Sequence, residues 1–359
     1  MPIAQLPITY VDVFTRAPLL GSPVAVVFGA EGLSDLELQR VAQWTNLSET
    51  TFVLPSQWAS HRLRSFTPRT ELPFAGHPTL GSAHAVGEAG LVPTGQRQLT
   101  QECAAGLIPL SVDEQGLAHA RVPRPRLLPL AQPAETVAHL LERALGGRRA
   151  VAPALIDVGP RWLVARVDGT RVNQLSVDLS AMARLCHGLG ALGVTVYAVP
   201  SEESLREELR MAASPSEQTP ATQPGWEEDR GSSPSVVVRS FVPDEGVAED
   251  PVCGSGNAAV AAHLSLSPPP TDLGNPYVAA QGEPIGRRGR VLVRRDGDDV
   301  TIGGHCVTVI NGTLRLHERG AARRGRWTPE LDSNRPTAQR DGRPTGWSTT
   351  PLTVTSSTP

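Results

Sequence analysis

A carboxylate, an imidazole and a second carboxylate stand where loops meet predicted helices or strands, and together they could move a proton. Glu49 lies in Asn46-Leu47-Ser48-Glu49-Thr50, between a helical stripe and a strand-like run. Alone it reads as a surface carboxylate or as a base. In an apolar cleft that closes, desolvation would raise its pKa, so that it takes a proton from carbon and returns it elsewhere. His77 sits between Gly76 and Pro78 at a predicted helix start. It reads as a structural hydrogen-bonder or, with Gly76 admitting a close ligand, as a group that binds substrate or shuttles a proton. Asp250 precedes Pro251 in a second glycine-rich loop. It caps a helix, contacts a substrate amino or hydroxyl group, or does both. Gly254, Ser255 and Gly256 offer a hydroxyl and backbone N–H groups to a carboxylate. Cys253 is either a small packed thiol or, at a helix start that lowers its pKa, a second acid/base. Gly286-Arg287-Arg288-Gly289-Arg290 reads as a solvated loop before a strand, or as a rim that attracts acidic substrates.

The elements that must position these residues occur twice. Arg64-Ser65-Phe66-Thr67-Pro68 leads to Ala75-Gly76-His77-Pro78, and Arg239-Ser240-Phe241-Val242-Pro243 leads to Cys253-Gly254-Ser255-Gly256. Each copy reads as strand, glycine-rich loop and helix N-terminus. If both helices point at one cleft, unpaired N–H groups from two N-termini converge there, which suits a carboxylate. Around the first copy, strands are predicted at 8–14, 24–28, 51–54 and 62–66 and through 98–122. Ser34-Asp35-Leu36-Glu37 is a capping box, and Pro78 suits the first turn of a helix ending at Gly90. Around the second, helices are predicted at 135–145 and 179–187, with strands at 154–158, 162–167, 194–199 and 236–242. A hairpin follows across Asp296-Gly297, then a last strand at 307–316. The second copy has Gly193-Val194-Thr195 where the first has Ser48-Glu49-Thr50, so only one half carries the carboxylate.

Composition narrows the field. A formal net charge of −3 argues against nucleic acid as the main partner. No stretch resembles a membrane span, and no basic and then apolar leader opens the chain, so no secretory signal is expected. Cys103, Cys186, Cys253 and Cys306 have no zinc or C-x-x-C spacing and fit a reducing, cytoplasmic setting. The chain has no lysine, which excludes a pyridoxal Schiff base and a Walker loop. No His-based metal spacing is present, and neither metal nor cofactor is expected. Residues 201–234 are Ser-, Pro-, Glu- and Gln-rich and read as an inserted flexible loop; 319–359 read as a disordered tail.

The segments Asn46 to Thr50, Glu71-Leu72-Pro73-Phe74-Ala75-Gly76-His77-Pro78 and Glu249-Asp250-Pro251-Val252-Cys253-Gly254-Ser255-Gly256, in this order, resemble the PhzF family of phenazine biosynthesis-like isomerases. The resemblance runs from about 8 to 316, apart from the insert. It implies an α+β fold like that of diaminopimelate epimerase: two pseudo-symmetric domains, each a curved, mostly antiparallel sheet around a central helix. One would span 1–126, completed by 307–318, and the other 127–306 with the insert 201–234. It implies a cofactor-free site in the cleft between them, with Glu49 as the catalytic acid/base and His77, Asp250 and Ser255 lining it. Cys253 departs from the threonine usual in PhzF relatives. Cys-Gly-Ser-Gly is similar to the second cysteine loop of diaminopimelate epimerase, but Ala75 stands at the first-loop position.

The function expected is isomerisation of a small carboxylate-bearing metabolite by Glu49, with His77 and Asp250 orienting it and Gly76, Cys253, Gly254, Ser255 and Gly256 forming the binding loop. An amino-acid epimerase using Glu49 and Cys253, and a weakly active binding or interaction scaffold, are the alternatives. The expected partners are the small substrate and a second copy of the chain as a homodimer.

Overall fold

The computed structural model describes residues 3–317 except 94, 115, 168–171, 202–203, 205–233, 245–247 and 268–272. The expected loop at 201–234, but for residues 201, 204 and 234, and the expected tail lie outside the described residues. The first half runs β1 (Ile3–Val13), β2 (Ser22–Phe28), α1 (Asp35–Thr45), β3 (Glu49–Leu54), β4 (His61–Phe66), β5 (Glu71–Leu72), α2 (Gly76–Glu88), β6 (Gln98–Cys103), β7 (Gly106–Val112) and β8 (Ala118–Arg121). The second runs β9 (Arg126–Leu128), α3 (Ala134–Ala144), β10 (Ala150–Asp157), β11 (Arg161–Val167), α4 (Leu179–Leu189), β12 (Gly193–Ala198), β13 (Val236–Phe241), β14 (Glu249–Asp250), α5 (Gly254–Leu266), β15 (Tyr277–Gln281), β16 (Gly289–Asp296) and β17 (Asp299–Gly304). The last strand, β18 (Cys306–His317), returns to pair with β1.

The strands lie side by side in two runs of the same pattern. One is β18-β1-β2-β3-β4-β6-β7-β8 and the other β9-β10-β11-β12-β13-β15-β16-β17. In both, successive neighbours are antiparallel, antiparallel, parallel, antiparallel, parallel, antiparallel and antiparallel. The runs join where β8 pairs antiparallel with β17. The registers therefore relate the halves residue by residue: Thr51 faces Ser65 as Thr195 faces Ser240, and Val24 faces Glu49 as Trp162 faces Gly193.

Each half curls around one helix. α2 and α5 are both buried along most of their length, which explains their small residues: a helix enclosed on every side has no polar face to offer water. Leu80, Ala83 and Val86 of α2 and Ala258, Val260, Ala261 and Leu264 of α5 share one continuous core with the inner faces of both sheets. At about 1.5–3 kcal/mol for each large apolar side chain buried, this core holds the two halves together. Outside it, α1 packs on the first sheet, and α3 and α4 on the second, through separate clusters. The Ser34 capping box forms as expected, with the Ser34 side chain accepting from Glu37 N–H and the Glu37 side chain from Ser34 N–H. Among the described residues no helix is long and apolar enough to cross a membrane.

The segment 286–290, read as a solvated loop or as a rim, instead bridges the halves through Arg287, Arg288 and the Arg290 N–H, which donates to the Phe14 carbonyl at 2.9 Å. Arg287 donates to the Leu19 carbonyl at 2.6 Å, Arg288 N–H to the Leu20 carbonyl at 2.7 Å, and Arg290 pairs with buried Glu283 at 2.8 Å. These groups are committed to protein partners, so they hold the loops together.

Candidate active site

The two central helices meet end to end at their first residues. A Cβ on Gly76 would lie 2.9 Å from Gly254 Cα, and a Cβ on Gly254 2.9 Å from His77 N. Gly76 is thus glycine because another backbone presses on it, a closer reason than the ligand approach expected from the sequence. Ala75 begins α2 with no side-chain cap, whereas Cys253 caps α5, its Sγ accepting from Gly256 N–H. Among the described residues no group accepts from the N–H groups of Gly76, His77, Gly254 or Ser255. Two helix N-termini with open donors are thereby aimed at one place, as the repeat predicted.

Glu49 is the first residue of β3, delivered by the left-handed turn of Asn46 (φ 53°) that ends α1. It is 8% exposed, and its Oε2 lies 3.2 Å from Nε2 of His77, the second residue of α2. His77 is 1% exposed and stands behind Glu49. Burial drives its pKa down to about 3, so the ring is neutral. Its other polar contact is with Pro23. Proline has only a carbonyl to offer, so Nδ1–H donates there and the Nε2 lone pair turns to Glu49.

From the other half comes Asp250, in the short strand β14 paired to β13. It is not the cap of α5; its Oδ1 accepts from Val252 N–H at 3.2 Å, and it is 4% exposed. Burial pushes its pKa up. The loop around it is organised by Gln281, which the sequence did not single out. Gln281 donates to the Asp250 carbonyl at 3.0 Å and accepts from Cys253 N–H at 3.1 Å and from Asn257 at 2.9 Å. Burial and the neighbouring Asp250 push the Cys253 thiol pKa up, against the lowering expected at a helix start. Here the desolvation of a thiol 2% exposed outweighs the helix dipole.

Between the halves lies a narrow, nearly closed cleft with a cavity volume of about 20 Å³, lined by Ser48, Glu49 and Leu72 on one side and Trp162, Asp250 and Ser255 on the other. Ser255 thus faces the cleft, while Gly76, Cys253, Gly254 and Gly256, expected in the binding loop, are buried and are not among the residues that line it. Trp162 had no sequence signal, because a tryptophan in a strand reads as core. Its indole donates to Ser255 Oγ at 3.1 Å. One ligand atom each of Glu49, His77 and Asp250 lies within 4.8 Å of the others, so this set could also hold a small cation such as zinc or iron. His84 contacts Thr308 at 3.1 Å and Glu88 at 3.3 Å, away from this set.

Known proteins resemble the chain along most of its length. A family model described as phenazine biosynthesis-like protein, PhzC-PhzF, matches residues 11–216 and 211–312. Antisense-enhancing sequence 1 of Schizosaccharomyces pombe is 35% identical over 320 residues, 84% of this chain and 96% of that protein. Trans-2,3-dihydro-3-hydroxyanthranilate isomerase of Pseudomonas aeruginosa is 32% identical over 295 residues, 80% of this chain and 89% of that protein. A PhzF-family phenazine biosynthesis protein of Bacillus anthracis superposes with a TM-score of 0.65 at 23% identity, covering 87% of this chain and 99% of its own. A hydroxyproline epimerase from Agrobacterium vitis shares the fold at a TM-score of 0.57 and 14% identity, covering 88% and 93%. With one family model running through both halves and relatives above 30% identity along nearly their whole length, the chain belongs to the PhzF family of phenazine biosynthesis-like isomerases, on the diaminopimelate epimerase-like fold.

Proposed function

We propose that the chain is a cofactor-independent isomerase of a small carboxylate-bearing metabolite, in which Glu49 takes a proton from one carbon and returns it to another. The observation that carries this reading is the 3.2 Å contact between Glu49 and a histidine held neutral by burial, in a cleft faced by Asp250. With Nδ1–H committed to Pro23, His77 offers Glu49 an acceptor, so a proton taken from carbon stays in the buried pair until it is returned. Asp250, its pKa raised, is suited to a hydrogen bond with a substrate amino or hydroxyl group. The open N–H groups of the two helices supply donors where negative charge would build up on an enolate-type intermediate.

The Pseudomonas aeruginosa relative makes trans-2,3-dihydro-3-hydroxyanthranilate, a cyclic unsaturated carboxylate, the first substrate to try. The epimerase reading needs an acidic thiol at Cys253. Burial and the nearby Asp250 carboxylate outweigh the Gly256 N–H bond, which favours the thiolate, and leave that thiol protonated, so this reading loses its second base.

The test is exchange in heavy water. The wild type should place deuterium on a carbon of trans-2,3-dihydro-3-hydroxyanthranilate, or of a metabolite drawn from an untargeted pool. Glu49→Gln should still bind but lower exchange by about a thousandfold. Exchange at the wild-type rate in Glu49→Gln removes the base from the mechanism.

A further inference from the structure

Resting on that reading of the cleft, we propose that Trp162 is a positioning and specificity residue. Its indole closes the side of the cleft across from Glu49, and its N–H fixes Ser255 as a hydrogen-bond donor to the carboxylate of a flattened, unsaturated ring substrate.

The argument starts from the registers. Trp162 faces Gly193 as Val24 faces Glu49, so the tryptophan stands beside the position where this half would carry its own carboxylate. That position cannot hold one. A Cβ on Gly193 would lie 2.7 Å from Trp162 Cζ3, 2.3 Å from the Phe241 carbonyl oxygen and 2.9 Å from Val242 Cγ1. Indole and closely drawn strands occupy the space of a second base. No second glutamate can then face Glu49 from this position, and a flat apolar wall stands there in its place. Such a wall suits an unsaturated, flattened ring better than a puckered saturated one.

Hydrogen-bond accounting gives the second half of the role. An indole N–H donates and never accepts, so Ser255 Oγ accepts at 3.1 Å and its own hydrogen is left to give away. The nearest protein acceptor is Cys253 Sγ at 3.6 Å, a weak one already bonded to Gly256 N–H at 3.2 Å. A carboxylate in the cleft is the stronger acceptor, since charged partners roughly double a hydrogen bond. Ser255 follows Gly254 at the start of α5, so its hydroxyl and the open N–H groups of both residues come from one turn.

The test uses anthranilate, a planar carboxylate, and aniline, the same ring without the carboxylate, as binding probes. They are titrated calorimetrically into the wild type, Trp162→Phe, Ser255→Ala and the double variant, each checked for a cooperative melt. Trp162→Phe keeps an aromatic wall and removes the N–H. It should weaken anthranilate about tenfold and aniline less than about twofold, and the double variant should bind anthranilate within about twofold of Ser255→Ala. Equal losses on both probes, or additive losses in the double variant, overturn the proposal. A measurement on the wild type covers a Trp162→Phe chain that does not fold. The Trp162 indole N–H resonance should shift on adding anthranilate and stay in place with aniline, and a resonance unmoved by saturating anthranilate also overturns it. A wild type that binds anthranilate no better than aniline sinks the carboxylate reading itself, and this inference with it. A wild type that prefers anthranilate beside an indifferent Trp162→Phe sinks only the role of Trp162.

Discussion

The two halves share a frame and divide the chemistry. In the first, Arg64 grips Glu71 through two hydrogen bonds of 2.7 and 2.6 Å and lies over the Phe66 ring. In the second, Arg239 grips Glu249 through two of 2.8 Å and lies over Phe241. These counterparts do the same work twice: they tie the strand to the short strand that carries the chain to its central helix. Where the counterparts differ, the cleft begins. Glu49 corresponds to Gly193, Leu72 to Asp250, Ala75 to Cys253, His77 to Ser255 and Val24 to Trp162. In the proposed mechanism one half supplies the base and its proton acceptor, the other an acid, a hydroxyl and a wall. The far ends of the sheets differ too. Phe28, Val53, Ala85, Leu99 and Val112 correspond to Arg166, Tyr197, His263, Tyr277 and Arg295, with Tyr197 OH 2.8 Å from His263 Nδ1. What repeats is architecture, and what fails to repeat marks the places given over to polar interactions.

Copying one half into the other breaks this division. Glu49→Gly, the copy of Gly193, should cut proton exchange by about a thousandfold or more, and His77→Ser, the copy of Ser255, by about a hundredfold, both read as deuterium incorporation. Activity that survives both substitutions would mean that the asymmetry is not catalytic. Cobalt or zinc retained by the wild type through chelation, and lost in His77→Ser, would reassign the same three residues to a metal.

The shared frame should instead respond in stability. Arg239 and Glu249 are 8% and 11% exposed, against 18% and 38% for Arg64 and Glu71. Arg239→Met should therefore cost about 3 kcal/mol in urea unfolding and Arg64→Met about 1 kcal/mol. Equal costs would show that burial does not set the value of the pair. Acid sharpens the contrast further. His77 is held near 3 and His61 near 4 in the fold, against 6.5 unfolded, while their counterparts Ser255 and Val236 do not titrate. Both rings are neutral when folded, so the stability they lend is complete above about pH 6.5 and is lost as pH falls toward their folded values. The urea midpoint should fall across that window, and His61→Gln should flatten the fall; a midpoint indifferent to pH would contradict the burial of both rings. The smallest effect is expected at Cys253. Cys253→Thr keeps a cap and should leave activity within about threefold, whereas Cys253→Ala, the copy of Ala75, should cost about 1 kcal/mol of stability. A dead but folded Cys253→Thr would restore the epimerase reading.

The repeat was legible because its signals are local: a capping box at Ser34, proline and glycine at Gly76-His77-Pro78, and Arg-Ser-Phe before each turn. From these came the paired helix N-termini and the single carboxylate. Illegible were the features that depend on residues distant in sequence. Gln281 holds the Asp250 loop from a strand that no alternation announced. Asp250 reads as a cap because Asp before Pro often is one, yet the chain runs three residues further before α5 begins. Trp162 reads as core because it is core, 1% exposed, and its role depends on a serine 93 positions away. The loop at 287–288 looked solvated because the acceptors of the Arg287 side chain and the Arg288 N–H belong to the opposite half.

The contact between Gly76 and Gly254 has a mechanical consequence. The facing helices rest backbone on backbone, so the spacing between Glu49 on one side and Asp250 on the other is gauged by a stop that no reacting side chain touches. A single methyl group added at either glycine would act as a shim, moving two intact half-sites apart while leaving each correctly built.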